Sequence, residues 1–241
     1  MTQPEVHEDS RDSGSLTSRL QHVYWIGGAS GAGKSTIARR LADKHSLRLY
    51  LTDEAMGDHA RRWLPEDCPN LADFVKMSMD QRWVDRSPQT MLETFHWFRG
   101  EGFGLIIEDL LALPPDQGVI AEGLRLLPHL VKPLLHDPNH CVWLIPTPEF
   151  RLVAFESRGT MWSIPNKTSN PKRALSNLLE RDRLFTERLQ RMVETTGLPS
   201  VMVDGRLTED ALESCIAGKF GLDGGGSGSR PQQPRSPPCL M

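Results

Sequence analysis

Apolar residues recur along this chain in two alternating rhythms. Short apolar runs occur at 22–26 (His-Val-Tyr-Trp-Ile), 47–51 (Leu-Arg-Leu-Tyr-Leu), 119–121, 141–145 and 200–203. Each is rich in aliphatic, β-branched or aromatic residues and reads as a strand. Longer stretches between them carry apolar positions at helical spacing. The clearest is 174–196, where Leu175, Leu178, Leu179, Phe185, Leu189, Met192 and Val193 predict an amphipathic helix. Helix starts are marked chemically. Ser87-Pro88 and Thr147-Pro148 set a capping hydroxyl before a first-turn proline, and Thr208 precedes Glu209 and Asp210. The segment 105–109, Leu-Ile-Ile-Glu-Asp, fits a strand or a helix. The period through Ile106, Leu110 and Leu113 favours a helix, although Gly102 and Gly104 weigh against it. Strand alternating with helix predicts an α/β fold, a parallel sheet with helices on both faces.

The ends differ from this middle. Residues 1–20 are polar, carry no apolar period and read as a disordered arm. Residues 224–241 are rich in Gly, Ser and Pro and read as a flexible tail. The folded part is then 21–223, one α/β domain, with no internal repeat. Across all 241 residues, 38% are hydrophobic, 24% are charged and the net charge is -3. Nothing global argues for a nucleic acid or an anionic membrane as partner. No apolar stretch reaches the roughly 18 residues of a spanning helix. The acidic N-terminus, with Glu5, Glu8, Asp9 and Asp12, is unlike a secretory signal. Cys68, Cys141, Cys215 and Cys239 form no CxxC pair and fit neither a zinc site nor a disulfide framework. Reduced thiols in a cytoplasmic protein are the simplest reading.

The strongest chemical signal is Gly28-Ala29-Ser30-Gly31-Ala32-Gly33-Lys34-Ser35, which satisfies G-x-x-x-x-G-K-[ST]. A triphosphate needs many converging donors, and the backbone N–H groups of a tight loop supply them. Glycines allow the torsions that bring this backbone close. Lys34 reaches the β- and γ-phosphates in this reading, and Ser35 ligates Mg2+ through its hydroxyl. Gly28 to Thr36 then hold the nucleotide, with the positive end of the following helix facing it. The loop follows the run at 22–26 and precedes Ile37, Ala38, Leu41 and Ala42, which is the strand–loop–helix setting the motif requires. A dinucleotide fingerprint fits less well, because its third glycine would fall on Thr36.

Three acids end or follow strands: Asp53, Glu122 and Asp204. Ligands of open parallel sheets bind at these carboxyl ends, so all three are eligible. Asp53 has a competing role as a helix cap for 54–63, and Asp204 reads better as a turn residue.

The loop, the segment Leu47-Arg48-Leu49-Tyr50-Leu51-Thr52-Asp53-Glu54 and the segment Val119-Ile120-Ala121-Glu122-Gly123 resemble the adenylate-kinase-like group of P-loop small-molecule kinases. Shikimate and gluconate kinases, chloramphenicol phosphotransferase and uridine kinase are of this kind. The resemblance covers the layout of 22–205, and only the loop is highly specific. It implies a three-layer αβα sandwich on a five-stranded parallel sheet of order 2-3-1-4-5. It implies ATP with Mg2+, an acceptor hydroxyl oriented by Asp53, and Glu122 in the metal shell, where many relatives have Asp. It also implies a helical acceptor region over 54–118 and a lid over 151–191.

That last stretch carries nine Lys or Arg against four acids, a local balance of +5. Gly159, Pro165, Asn166 and Pro171 would make 159–172 a mobile loop between helices. Arg158, Arg173, Arg181 and Arg183 are the candidates for phosphate contacts, since the guanidinium fork meets phosphate oxygens in pairs. The competing reading is a solvated helix face. On the acceptor side, Arg61 and Arg62 follow Asp53 closely. The cluster Phe95-His96-Trp97-Phe98-Arg99 could line a planar or anionic acceptor pocket, or simply be core.

Three functions compete. The first is an ATP-dependent kinase of a small molecule. The second is an ATP-binding regulatory or interaction protein without an acceptor. A GTPase version is disfavoured, because Asn166-Lys167-Thr168-Ser169 lacks the final acid of a guanine motif. The third, a nucleic-acid kinase, rests on the basic stretch alone. The sequence does not name the acceptor or the oligomeric state.

Overall fold

The computed structural model describes residues 16–224. Its centre is a sheet of five strands: β1 (Val23–Gly28), β2 (Arg48–Leu51), β3 (Val119–Glu122), β4 (Cys141–Pro146) and β5 (Ser200–Val203). All pair in parallel, in the order β2-β3-β1-β4-β5. The α/β sandwich and the 2-3-1-4-5 order are as expected from the sequence.

Side chains alternate across a strand, and here the two sets form two separate cores. Val23, Trp25, Val119, Ala121, Cys141, Trp143 and Ile145 face one side. Ile26, Ile120, Val142, Leu144, Val201 and Val203 face the other. The second side is covered by α1 (Lys34–His45), through Ile37, Ala38, Leu41 and Ala42, and by the last long helix, Glu209–Lys219, through Leu212, Ile216 and Ala217. The first side is covered from within the long connection that joins β2 to β3, and by helix 171–196. Strands buried on both faces read as continuous apolar runs, which is why β3 and β4 are apolar almost throughout.

The β2–β3 connection is helical almost throughout. It contains α2 (Met56–Arg62), α3 (Pro69–Lys76), α4 (Met79–Trp83), α5 (Pro88–Thr94), a 3-10 turn (His96–Arg99) and α6 (Phe103–Ala112). The ambiguous segment is the helix α6, with Gly102 at its cap position. The short α7 (Pro128–Val131) follows β3, and α8 (Pro148–Ser157) follows β4. Then comes α9 (Pro171–Thr196), stacked on the connection through Phe185 and Phe98, whose ring centroids lie 3.7 Å apart. The last helix, Glu209–Lys219, is α10. The three hydroxyl caps form as the sequence predicts: Ser87, Thr147 and Thr208 accept from Thr90, Phe150 and Ala211 N–H. A capping box between Ser78 and Gln81 was not anticipated.

Two expectations need correction. The arm read over 1–20 overlaps packed chain, since 16–19 form a helical turn and Leu20 is 1% exposed. Its apolar residues, Leu16 and Leu20, are spaced i, i+4 and anchor the turn on the first core. The rest of the arm and the tail beyond 224 lie outside the described residues. Cys68 and Cys141 are buried free thiols, whereas Cys215 is disulfide-bonded, which departs from an all-reduced chain. Among the described residues no helix is long and apolar enough to cross a membrane.

Candidate functional site at the carboxyl edge of the sheet

The loop 28–35 runs from the end of β1 into α1. Gly31 and Gly33 adopt φ of 80° and 75°, a region that L side chains avoid. A Cβ on Gly31 would also meet Arg151 Cγ at 2.9 Å, so the loop lies directly against α8. Gly33 is the N-cap of α1 and no side chain caps that end. The first-turn N–H groups are therefore left for an anion.

Three candidate side chains converge beneath the loop. Lys34 is only 8% exposed, and its Nζ donates to Ala29 O at 3.0 Å. It lies 3.8 Å from Glu122 Oε1. Ser35 Oγ donates to the other oxygen, Glu122 Oε2, at 3.0 Å. Glu122 is buried at 4% exposure because β3 is central and ends there. Burial pulls the Lys34 ammonium down and pushes the Glu122 carboxyl up, and their mutual attraction opposes both shifts. Thr52 and Gly123 close the adjoining strand ends. A Cβ at 123 would fall 1.7 Å from Thr52 Oγ1, so only glycine lets β2 and β3 approach there. That buried Thr52 hydroxyl has no partner.

Asp53 lies exposed in the turn after β2, within Coulombic reach of Lys34, Glu122 and Arg125. The alternative role as a helix cap is not realised. The helix starts at Met56 behind Ala55, with no side-chain cap bond.

The arginines sort into two groups. Arg158 is the C-cap of α8 and is exposed; its side chain makes no hydrogen bond or ion pair with a described residue and acts electrostatically on Lys34. Arg181 is buried at 8% exposure on α9 and borders a pocket of about 220 Å3 together with Ser30 of the loop. Its guanidinium lies over the rings of Trp83, Phe95 and Phe98, is bound by Asp182, and keeps Nη1 without a partner. Arg183, by contrast, is forked by Glu180 and Glu187 of its own helix, which realises the solvated-face alternative. Arg173 is exposed in the first turn of α9, and no side-chain contact directs it to the loop. Arg61 and Arg62 are held outward by acids: Arg61 by Asp58, and Arg62 by Asp58, Glu108 and Asp109. The expected substrate role of this pair finds no support in that geometry.

Sequence reasoning missed two further inward-facing cations, Arg125 and Arg151. Arg151 is 5% exposed, packs on Gly31, and donates to Thr186 Oγ1 at 3.3 Å while its Nε has no partner. Arg125, 4% exposed, lies three residues past Glu122 and two beyond the strand-end segment 119–123. Position one turn after the Thr147-Pro148 cap was the available signal for Arg151.

The donor set fits a nucleotide phosphate: a positive-φ loop, an uncapped helix start, a buried lysine and buried guanidinium groups with spare N–H. For Mg2+, Ser35 and Glu122 offer adjacent oxygens. A metal held this way is completed by phosphate and water oxygens. Among the described residues no group of three or more His, Cys, Asp or Glu forms a metal cage by itself.

No model of a protein family matches this chain, and a search of curated proteins finds no relative of significant similarity.

Proposed function

We propose that this chain binds ATP with Mg2+ at the 28–35 loop and transfers the γ-phosphoryl group to a hydroxyl of a small acceptor. The observation that carries the reading is the buried Lys34–Glu122–Ser35 cluster under a loop of positive-φ glycines. Lys34 and the loop N–H groups hold the phosphates, and Arg158 supplies further positive charge. Ser35 and Glu122 would hold Mg2+, which would supply charge neutralisation at the phosphate oxygens.

Asp53 orients the acceptor hydroxyl and takes its proton as the oxygen attacks phosphorus. The new P–O bond forms as the bond to the β-phosphate bridging oxygen breaks, and ADP leaves. The buried Lys34 suits this role, because the negative charge of a triphosphate restores the ammonium that desolvation disfavours.

The test is a thermal titration with ATP, GTP and ADP plus Mg2+, on wild type, Lys34→Ala and Asp53→Asn. A ligand selective for the folded state raises the midpoint. Stabilisation by ATP that is lost in Lys34→Ala and kept in Asp53→Asn is the expected result. ADP release with metabolite pools should then vanish in Asp53→Asn. A folded wild type indifferent to every nucleotide would remove the proposal. Binding with no acceptor-dependent ADP release would leave a nucleotide-regulated interaction protein.

A further inference from the structure

A second pocket, of about 210 Å3, lies under α2 and is lined by His59, Trp63, Leu71, His96, Trp97 and Arg125 among others. Resting on the transfer reading above, we infer that this pocket holds the acceptor, and that Arg125 binds a single carboxylate on it.

Arg125 is a buried cation without an ion-pair partner among the described residues. Of its five donors, the structure gives two hydrogen bonds: Nη1 to His59 Nδ1 at 2.8 Å and Nη2 to Gly102 O at 2.7 Å. Its Nε, itself buried, has no partner among the described residues. The nearby acids are already engaged. Asp109 accepts from Tyr50 at 2.7 Å and Arg62 at 2.6 Å, and lies 2.7 Å from His59 Nε2. Glu101, which also lines the pocket, is held by the backbone N–H groups of Asn70 and Leu71, both at 2.9 Å. Asp53 and Asp109 act on Arg125 only at a distance. A buried charge calls for a paired anion, and the described residues provide none in contact.

The arrangement also fixes the ligand's geometry. A guanidinium cannot accept, so His59 Nδ1 accepts from Arg125 and the ring proton sits on Nε2, facing Asp109. The Asp109–His59 contact thus holds Arg125 rigidly from behind. His96, 4% exposed, lines the same pocket and leaves Nδ1 unpartnered. Burial, reinforced by Arg125, Arg181 and Arg82, holds His96 down at about 4, so it stays neutral. One unpaired cation beside one neutral imidazole matches a monoanion better than a dianionic phosphate. Trp63, Trp97 and Leu71 supply an apolar wall for the body of the molecule. The volume is below the roughly 300 Å3 at which drug-sized sites begin, so the acceptor is a small hydroxy acid with an apolar or ring body.

Mandelate, its neutral analogue mandelamide, and phenyl phosphate serve as probes. Binding to the full chain without nucleotide is followed by the indole NMR signals of Trp63 and Trp97, so a defect at the phosphate loop cannot mask the result. Mandelate should shift both indoles. Mandelamide, and mandelate on Arg125→Gln, should bind about 10- to 100-fold more weakly, the range lost with a charged hydrogen bond. Arg125→Lys keeps the charge without the fork and should fall between, which serves if Arg125→Gln does not fold. Equal binding of acid and amide, unaltered binding in both variants, tighter binding of phenyl phosphate, or no indole response to mandelate would each overturn the inference. Carboxylate binding without ADP release under Mg·ATP keeps the pocket and removes the transfer reading. ATP turnover with no carboxylate binding does the reverse.

Discussion

His96 gives the pocket a measurable acid sensitivity. It sits among the rings of Phe74, Phe95 and Trp97, with three guanidinium groups in Coulombic reach. Its folded value of about 4 lies below the ordinary imidazole value of 6.5. The unfolded chain therefore binds the proton first, and stability falls as pH drops below 6.5. With these two values, the loss from this residue is about 2 kcal/mol at pH 5 and about 3 kcal/mol at pH 4. The assay is urea denaturation of wild type and His96→Phe between pH 7 and 5. Most native carboxylates remain ionised in that window. His22 and His129 are also held down by partial desolvation, but they remain in both proteins and cancel in the difference. Wild type should lose about 2 kcal/mol relative to His96→Phe on going from pH 7 to 5. Parallel curves for the two proteins would refute the claim that His96 is held neutral, and with it the charge count at the acceptor pocket.

Two further perturbations test how the site is built. Gly31→Ala forces a side chain into φ of 80° against Arg151. It should destabilise the fold by about 1–2 kcal/mol and weaken ATP as well, and a melt and an ATP titration both matching wild type would contradict the loop geometry. Trp143 is fully buried, and its Nε1 donates to Leu126 O at 2.9 Å, next to Arg125. Trp143→Phe should cost about 1–3 kcal/mol, the penalty for an orphaned buried carbonyl, and an unchanged urea midpoint would show that the bond contributes nothing.

The sequence carried the fold further than the site, for a physical reason. Strand and helix periods are local, and so are caps, so β1 to β5 and the starts at Ser87, Thr147 and Thr208 could be read directly. The phosphate loop is local too, because eight consecutive residues supply both its torsions and its donors. Asp53 and Glu122 were reachable because strand ends define the ligand edge of a parallel sheet. The acceptor wall is not local. His59, His96 and Arg125 belong to three separate segments, and only the packing of the helical connection over the sheet unites them. Leu16 and Leu20 were lost because two apolar residues in a polar stretch make no period.

The arginines show most sharply what charge density cannot reveal. A basic stretch predicts that cations exist, and says nothing of which ones already have partners. Arg61, Arg62 and Arg183 meet acids three or four residues away on their own helices, the spacing at which helical side chains face one another. Such pairs could have been discounted from sequence by that rule alone. Among the described residues, Arg125, Arg151 and Arg181 are the arginines buried outright, and each retains a nitrogen with no partner there. Two of them touch or border the phosphate loop at Gly31 and Ser30, and the third lines the pocket beyond Asp53. A folded chain rarely leaves buried donors unmatched unless something else completes them. In the proposed reading, Lys34, Arg151 and Arg181 would meet phosphates on the loop side, and Arg125 would meet a carboxylate in the second pocket.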